Sequence, residues 1–166
     1  KLVLAAQAVP LLIGETGIGK TALATDLAAE KGWTLIDIDG NILKEGEIGG
    51  LPTVENRTTV YAIHHKLREI DEALAAGKTV LLFIDEINRC EQQELMNLIL
   101  NHEINGYHLD ESVRIIAAMN PTDTYDYQTV EMDDAQKNRF VWLYMEPDYM
   151  QWLDWAAAKG IEPRVM

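Results

Sequence analysis

Eight consecutive residues, Gly14-Glu15-Thr16-Gly17-Ile18-Gly19-Lys20-Thr21, follow the pattern G-x-x-x-x-G-K-S/T at every fixed position. Glycines at these places let backbone N–H groups converge on an anion, and a helix starting directly afterwards would turn the positive end of its dipole toward it. Lys20 would then reach the outer phosphates of a nucleoside triphosphate, and the Thr21 hydroxyl would ligate Mg²⁺. A glycine-rich turn is the plain alternative. It is disfavoured because the pattern lies between a strand-like run and a helix-like run, which is the setting that phosphate binding needs.

Three further groups of polar residues adjoin apolar runs. Residues 80–84 are uninterruptedly apolar and end in Asp85-Glu86. Ligands of open α/β sheets collect at the carboxyl ends of the strands, so Asp85 is suited to hold Mg²⁺ through its water shell and Glu86 to take a proton from an attacking water. Residues 115–119 end in Asn120-Pro121, where the amide would orient that water. Alone, the acid pair could be solvated residues and Asn120 a turn asparagine before proline. Asn138-Arg139-Phe140 precedes the last apolar run. Arg139 could be an ordinary surface arginine, yet a planar, permanently charged guanidinium is what a neighbouring subunit extends toward a γ-phosphate.

The elements that would carry these groups alternate. Residues 9–13 read as a buried strand that stops at Gly14. Over residues 21–31, Leu23, Leu27 and the intervening alanines predict one face of a helix closed by Gly32. Residues 34–38 give a second strand with a turn at Asp39-Gly40-Asn41, and residues 41–59, rich in glycine and polar side chains, read as an excursion or loop. Val60, Ile63, Leu67, Ile70 and Leu74 recur at helical spacing, ahead of Gly77. Residues 80–84 form a strand covered on both faces, Leu95, Leu98, Ile99 and His102 a helical face, and residues 104–113 a small hairpin turning at Asn105-Gly106. Residues 113–119 and 140–145 supply the last two strands. This alternation predicts an α/β protein, a three-layer sandwich with helices on both faces of a central parallel five-stranded sheet.

With 166 residues, 48% of them hydrophobic, one domain with a real core is expected. The 14 Lys and Arg against 27 Asp and Glu, a net charge of −13, argue against a general binder of nucleic-acid backbone. Cys90 is the single cysteine, so no internal disulfide can form, and a reducing cytoplasm fits best. Residues 1–8 faintly imitate a secretory signal but are too short, and no run approaches the ~20 apolar residues of a membrane span. A start at Lys1 and a stop at Met166 read as part of a longer chain.

Several tempting residues have simpler roles. Adjacent His64 and His65 point apart on a helix and lack a third metal ligand. Trp152, Leu153 and Trp155 are expected to pack a helix against the sheet, with Asp148 and Gln151 at capping-box spacing at its start. Nothing near Cys90 marks it as activated.

Taken in order, GETGIGKT, FIDEINR, AAMNP and NRF resemble the AAA+ ATPases, most closely the MoxR-like branch and its dynein-related relatives, over almost the whole chain. The Asp-Glu-Ile-Asn-Arg string from position 85 is typical of that branch. The resemblance implies ATP and Mg²⁺ as ligands, Gly14 through Thr21 as the nucleotide loop, Thr21 and Asp85 at the metal, and Glu86 as catalytic base. It also implies Asn120 at the sensor-1 position and Arg139 as an arginine finger acting on a neighbour. Residues 45–58 would be an insert in helix 2 and residues 104–112 the hairpin before sensor 1, both facing the ring pore or the client. Residues 1–147 would form the core and residues 148–166 the start of a helical lid. Arg164 does not sit in a recognisable second-sensor context. The implied assembly is a homo-oligomeric ring, a hexamer, remodelling or maturing a protein client, with a von Willebrand A domain protein as a partner. Two alternatives stay open: a non-hydrolysing ATP-dependent switch, and a DNA-directed motor, which the acidity disfavours. Met119-Asn120-Pro121 does not resemble the Asn-Lys-x-Asp string by which GTPases read guanine.

Overall fold

The computed structural model describes residues 1–43, 47–87, 93–121 and 134–161. Its elements are α1 (Leu2–Ala5), β1 (Val9–Ile13), α2 (Lys20–Lys31), β2 (Thr34–Asp39), β3 (Leu51–Glu55), β4 (Thr58–Ala62), α3 (His65–Ala75), β5 (Val80–Asp85), α4 (Gln93–Asn101), β6 (Glu103–Ile104), β7 (Tyr107–His108), β8 (Arg114–Met119), α5 (Asp134–Lys137), β9 (Phe140–Tyr144) and α6 (Tyr149–Ala158).

Five of the strands form one parallel sheet in the order β2-β5-β8-β1-β9. Alternation along each strand divides the core in two, because successive side chains leave opposite faces. Val80, Leu82 and Ile84 of β5 join Ile115 and Ala117 of β8, with Leu67 and Ile70 of α3 and Leu98 of α4 above them. The intervening Leu81 and Phe83 join Leu12, Ile116 and Ala118 on the other face, covered by Leu4 of α1 and by Ala24 and Ala28 of α2. Each fully buried large side chain contributes about 1.5–3 kcal/mol. The expected central five-stranded parallel sheet between helical layers is therefore the observed one.

Three local expectations are corrected. The helical spacing is realised only from Leu67 onward: Val60 lies in β4, and α3 starts at His65 and buries Leu67 and Ile70. Asn56 and Arg57 both adopt positive φ, +50° and +64°, the turn that returns one strand upon the next. The excursion therefore contains an antiparallel hairpin, β3–β4, with Leu51 opposite Ala62. Second, α2 buries Ala24 and Ala28 with Leu27 partly buried beside them, while Leu23 is 46% exposed, so small residues form the centre of its inner face and Leu23 lies outside it. Third, Trp152 and Trp155 are 41% and 54% exposed, and Ala156 is the buried residue of α6.

Other local signals act as their chemistry suggests. Asn105 and Gly106, at φ +44° and +83°, turn β6 into β7. Asn105 Nδ2 donates to Gly49 O at 2.9 Å, and the Tyr107 hydroxyl donates to Asp71 Oδ1 at 2.8 Å, tying this hairpin to the excursion and to α3. Burial, and then the Asp71 carboxylate, raise the Tyr107 hydroxyl above the ordinary phenol value. The Asp148 carboxylate accepts the Gln151 N–H at 3.0 Å and caps α6. His64 caps α3 through Nδ1, accepting the Lys66 N–H at 3.3 Å. No helix among the described residues is long and apolar enough to cross a membrane.

Candidate nucleotide site

The loop from Gly14 to Thr21 joins the end of β1 to the start of α2, at the carboxyl edge of the sheet. Gly17 and Gly19 take φ of +83° and +103°, which side chains with a Cβ rarely adopt, so glycine is what permits this curvature. Gly19 is also the residue from which α2 starts. Glu15, Thr16 and Gly17 are exposed, Ile18 and Gly19 half-buried. An exposed loop ahead of the first turn of a twelve-residue helix turns backbone N–H groups and the positive end of the dipole toward a ligand.

Lys20 is only 6% exposed, a degree of burial that an ammonium tolerates when its protons are taken up. Nζ donates to Gly14 O at 2.7 Å, Glu15 O at 3.2 Å and Asn120 Oδ1 at 2.8 Å. Asn120, 1% exposed at the end of β8, donates in turn from Nδ2 to Glu86 Oε1 at 2.6 Å. Residues 100 and 34 positions apart are thereby linked into one chain, Lys20 to Asn120 to Glu86. The parallel pairing of β1, β8 and β5 makes this possible by bringing their carboxyl ends to one edge.

Asp85 ends β5 beside the same loop. Its Oδ2 accepts the Thr21 hydroxyl at 3.3 Å, and its Oδ1 accepts the Glu86 N–H at 2.9 Å. A hydroxyl and a carboxylate brought together beside a phosphate-type loop are the oxygen donors Mg²⁺ selects, so the residues present fit that ion. Glu86 leaves the strand with φ +53°. Sequence reasoning missed what holds this turn from behind: the Gly40 N–H, at the end of β2, donates to Asp85 O at 2.9 Å. Reading Asp39-Gly40-Asn41 as a turn carried no signal for that contact, since it depends on β2 pairing with β5 in the register Asp39 to Asp85.

Arg139 is not gathered into this cluster. β9 pairs with β1 from Phe140 at Val9 to Tyr144 at Ile13, so Arg139, one residue before Phe140, stands at the opposite, amino edge of the sheet, about 16 Å of strand rise from the level of Ile13. It is exposed, and its Nη1 donates to Asn101 Oδ1 at 3.2 Å at the end of α4. Asn101 was not anticipated from the sequence. A cleft of about 340 Å³ opens at that edge, between Gln7, Asn101, His102 and Arg114, away from the phosphate loop. Asn88, Arg89, Cys90 and Arg164 lie outside the described residues. Among the described residues there is no group of three or more His, Cys, Asp or Glu that could hold a metal ion.

Similarity to known proteins runs through this region. Curated relatives include the ATP-dependent zinc metalloprotease FtsH of Leptotrichia buccalis, 27% identical over 130 residues, covering 70% of this chain and 15% of that protein. The FtsH proteins of Bacillus subtilis and Nitrosococcus oceani are 29% and 30% identical over 129 residues, each match covering 70% of this chain and 18% of the relative. The chain thus spans less than a fifth of the length of these relatives. Among solved structures, a protein from Cytophaga hutchinsonii assigned as an ATPase superposes with a TM-score of 0.62 at 18% identity, over 98% of this chain and 49% of that one, a likeness of fold. Residues 10–141 match the profile of the ATPase family associated with various cellular activities. With the loop, the strand-end acids and the parallel sheet inside that span, the chain belongs to the AAA family of ATPases.

Proposed function

We propose that this chain binds ATP with Mg²⁺ and hydrolyses it as one subunit of a homo-oligomeric ring, a hexamer, with Arg139 serving the site of a neighbour. The observation that carries this reading is the hydrogen-bonded chain from Lys20 through Asn120 to Glu86. It sets a phosphate-binding cation and a carboxylate base at the two ends of one buried amide.

The N–H groups of Gly14 through Thr21 and the Lys20 ammonium hold the phosphates. Thr21 and Asp85 would hold Mg²⁺, which would supply positive charge to the phosphate oxygens. Asn120 keeps Glu86 turned toward the γ-phosphate. Glu86 accepts a proton from water as the water oxygen bonds to the γ-phosphorus, and the bond from that phosphorus to the bridging oxygen breaks to leave ADP and phosphate. Arg139 stands too far from its own loop to take part there, which supports action across an interface. Such an arginine is worth about 10³ to 10⁵ in rate, or roughly 4–7 kcal/mol of barrier.

The relatives named ATP-dependent support nucleotide-driven work. Within the superfamily we assign the chain to the MoxR-like branch, on the DEINR string at position 85. Residues 1–147 form the core and residues 148–166 open a helical lid. The client is a protein in the cytoplasm, engaged by the β3–β4 and β6–β7 hairpins, with a von Willebrand A domain protein as partner. Phosphate release by the assembled full-length protein tests the reading. Glu86→Gln should retain ATP and stop turnover; an unchanged rate would remove Glu86 as base. A wild-type assembly that binds but never hydrolyses ATP would instead be a nucleotide-dependent switch.

A further inference from the structure

β2 and β5 stay in register to their last residues, Asp39 opposite Asp85, and one position later the backbone of Gly40 lies against the Asp85–Glu86 peptide. Gly40 is buried, and its N–H donates to Asp85 O at 2.9 Å. A Cβ built on Gly40 would stand 2.6 Å from Glu86 O, 3.0 Å from Asp85 O and 3.1 Å from Glu86 C. All three are backbone atoms. None can swing aside as the end of a flexible side chain would, so any larger residue must push the Glu86 peptide away.

The obstacle is contact alone, because the φ of Gly40 lies outside the left-handed region and an alanine could adopt the same backbone. Glu86 is the residue in the rarer conformation. Its φ is +53°, a region that residues bearing a Cβ hold only when their surroundings impose it. Two contacts impose it here: the Asp85 carboxylate accepts the Glu86 N–H at 2.9 Å, and the Gly40 N–H fixes the carbonyl just before. The turn lifts the Glu86 side chain off the strand direction and delivers Oε1 to Asn120 at 2.6 Å.

We propose that Gly40 is a positioning residue for hydrolysis: its lack of a side chain lets the end of β2 press on the Asp85–Glu86 peptide and aim the Glu86 carboxylate. The inference rests on Glu86 being the base. Gly40 lies outside the phosphate loop and presses on the Asp85–Glu86 backbone, so binding and turnover should part when it is changed.

The test is Gly40→Ala in the assembled full-length protein, read as ATP affinity, KM, kcat and thermal melt beside Glu86→Gln and Gly77→Ala. Gly77 closes α3 at φ +74° with open space around its Cβ position, so its substitution reports a purely conformational penalty. Gly40→Ala should lower kcat about 10- to 100-fold, with ATP affinity and KM within about twofold and a cooperative melt retained, since small displacements of a reacting group cost rate in that range. Gly77→Ala should lower the melt and leave kcat unchanged. Wild-type kcat in Gly40→Ala, with Glu86→Gln inactive, overturns the role of Gly40 and spares that of Glu86. Loss of binding or of the cooperative melt in Gly40→Ala also overturns it, since Gly40 would then be serving the fold. Normal turnover by Glu86→Gln removes the base, and the inference with it.

Discussion

Asn120 Nδ2 donates to Glu86 Oε1 at 2.6 Å while its Oδ1 accepts from Lys20, so one amide orients the carboxylate and engages the ammonium together. An asparagine suits this place because its head carries a donor on one side and an acceptor on the other. Asn120→Asp replaces the donor by a second acceptor beside the Glu86 carboxylate. ATP affinity should hold while kcat falls about 10- to 100-fold, the usual penalty for a misdirected reacting group. Single-turnover and binding measurements separate the two, and equal losses in both would assign Asn120 to binding instead.

Lys20 reaches the same amide from the other side. Lys20→Ala should abolish ATP binding, and a titration that still returns micromolar affinity would exclude Lys20 from the phosphate site. The substitution also removes the donor that Asn120 Oδ1 and Gly14 O share, so the ligand-free protein should lose about 1–3 kcal/mol in denaturant unfolding.

Arg139, at the far edge of the sheet, should act only on a neighbour. Arg139→Ala subunits are expected to bind ATP normally, yet to lower the activity of mixed rings below the fraction of wild-type subunits present. Activity that falls in simple proportion to the variant added would contradict action in trans.

The α2 packing gives a stability test independent of chemistry. Ala24→Leu should destabilise by about 1–3 kcal/mol, because the helix has no room to spare against the sheet. Leu23→Ala, on the outward side, should cost under about 1 kcal/mol. The reverse ranking by chemical denaturation would return the buried face to the leucine.

His64 sets a pH dependence. Burial, and then the adjacent His65 ring, push its imidazole below the ordinary value of 6.5, so the folded chain binds its proton less readily than the unfolded chain. The cap on α3 needs neutral Nδ1 as acceptor. Its contribution is therefore whole above the unfolded pKa and is lost as the pH falls through the lower, folded one. Melting temperatures from pH 7 to 5 should drop more steeply for the wild type than for His64→Asn, which keeps a cap acceptor that does not titrate. Parallel curves would show that His64 contributes nothing to the slope.

Phosphate chemistry is local in the chain, and that is why so much of the site could be read from it. The residues of the loop must be consecutive for amides, ammonium and hydroxyl to meet one polyphosphate, so the spacing from Gly14 to Thr21 is itself the signature. Parallel strands covered on both faces are continuous apolar runs, so Val80 through Ile84 announced where Asp85 and Glu86 would emerge. The β3–β4 hairpin was less legible, because Asn56-Arg57 is a weaker turn signal than Asn-Gly and Val60 happened to stand at helical spacing from Ile63 and Leu67.

Tertiary packing decided the remainder. Nothing in the order of residues ranks Ala24 above Leu23 as the buried side of α2; the narrow space over Phe83 and Leu12 does so. Nor could local pattern reveal that Asn120 would stand between Lys20 and Glu86, that Arg139 would bond to Asn101, or that Gly40 would lie against the Glu86 peptide. Each of these depends on which strands become neighbours and in what register, a choice made by burial of apolar area summed over the whole sheet and not by any short stretch of chain.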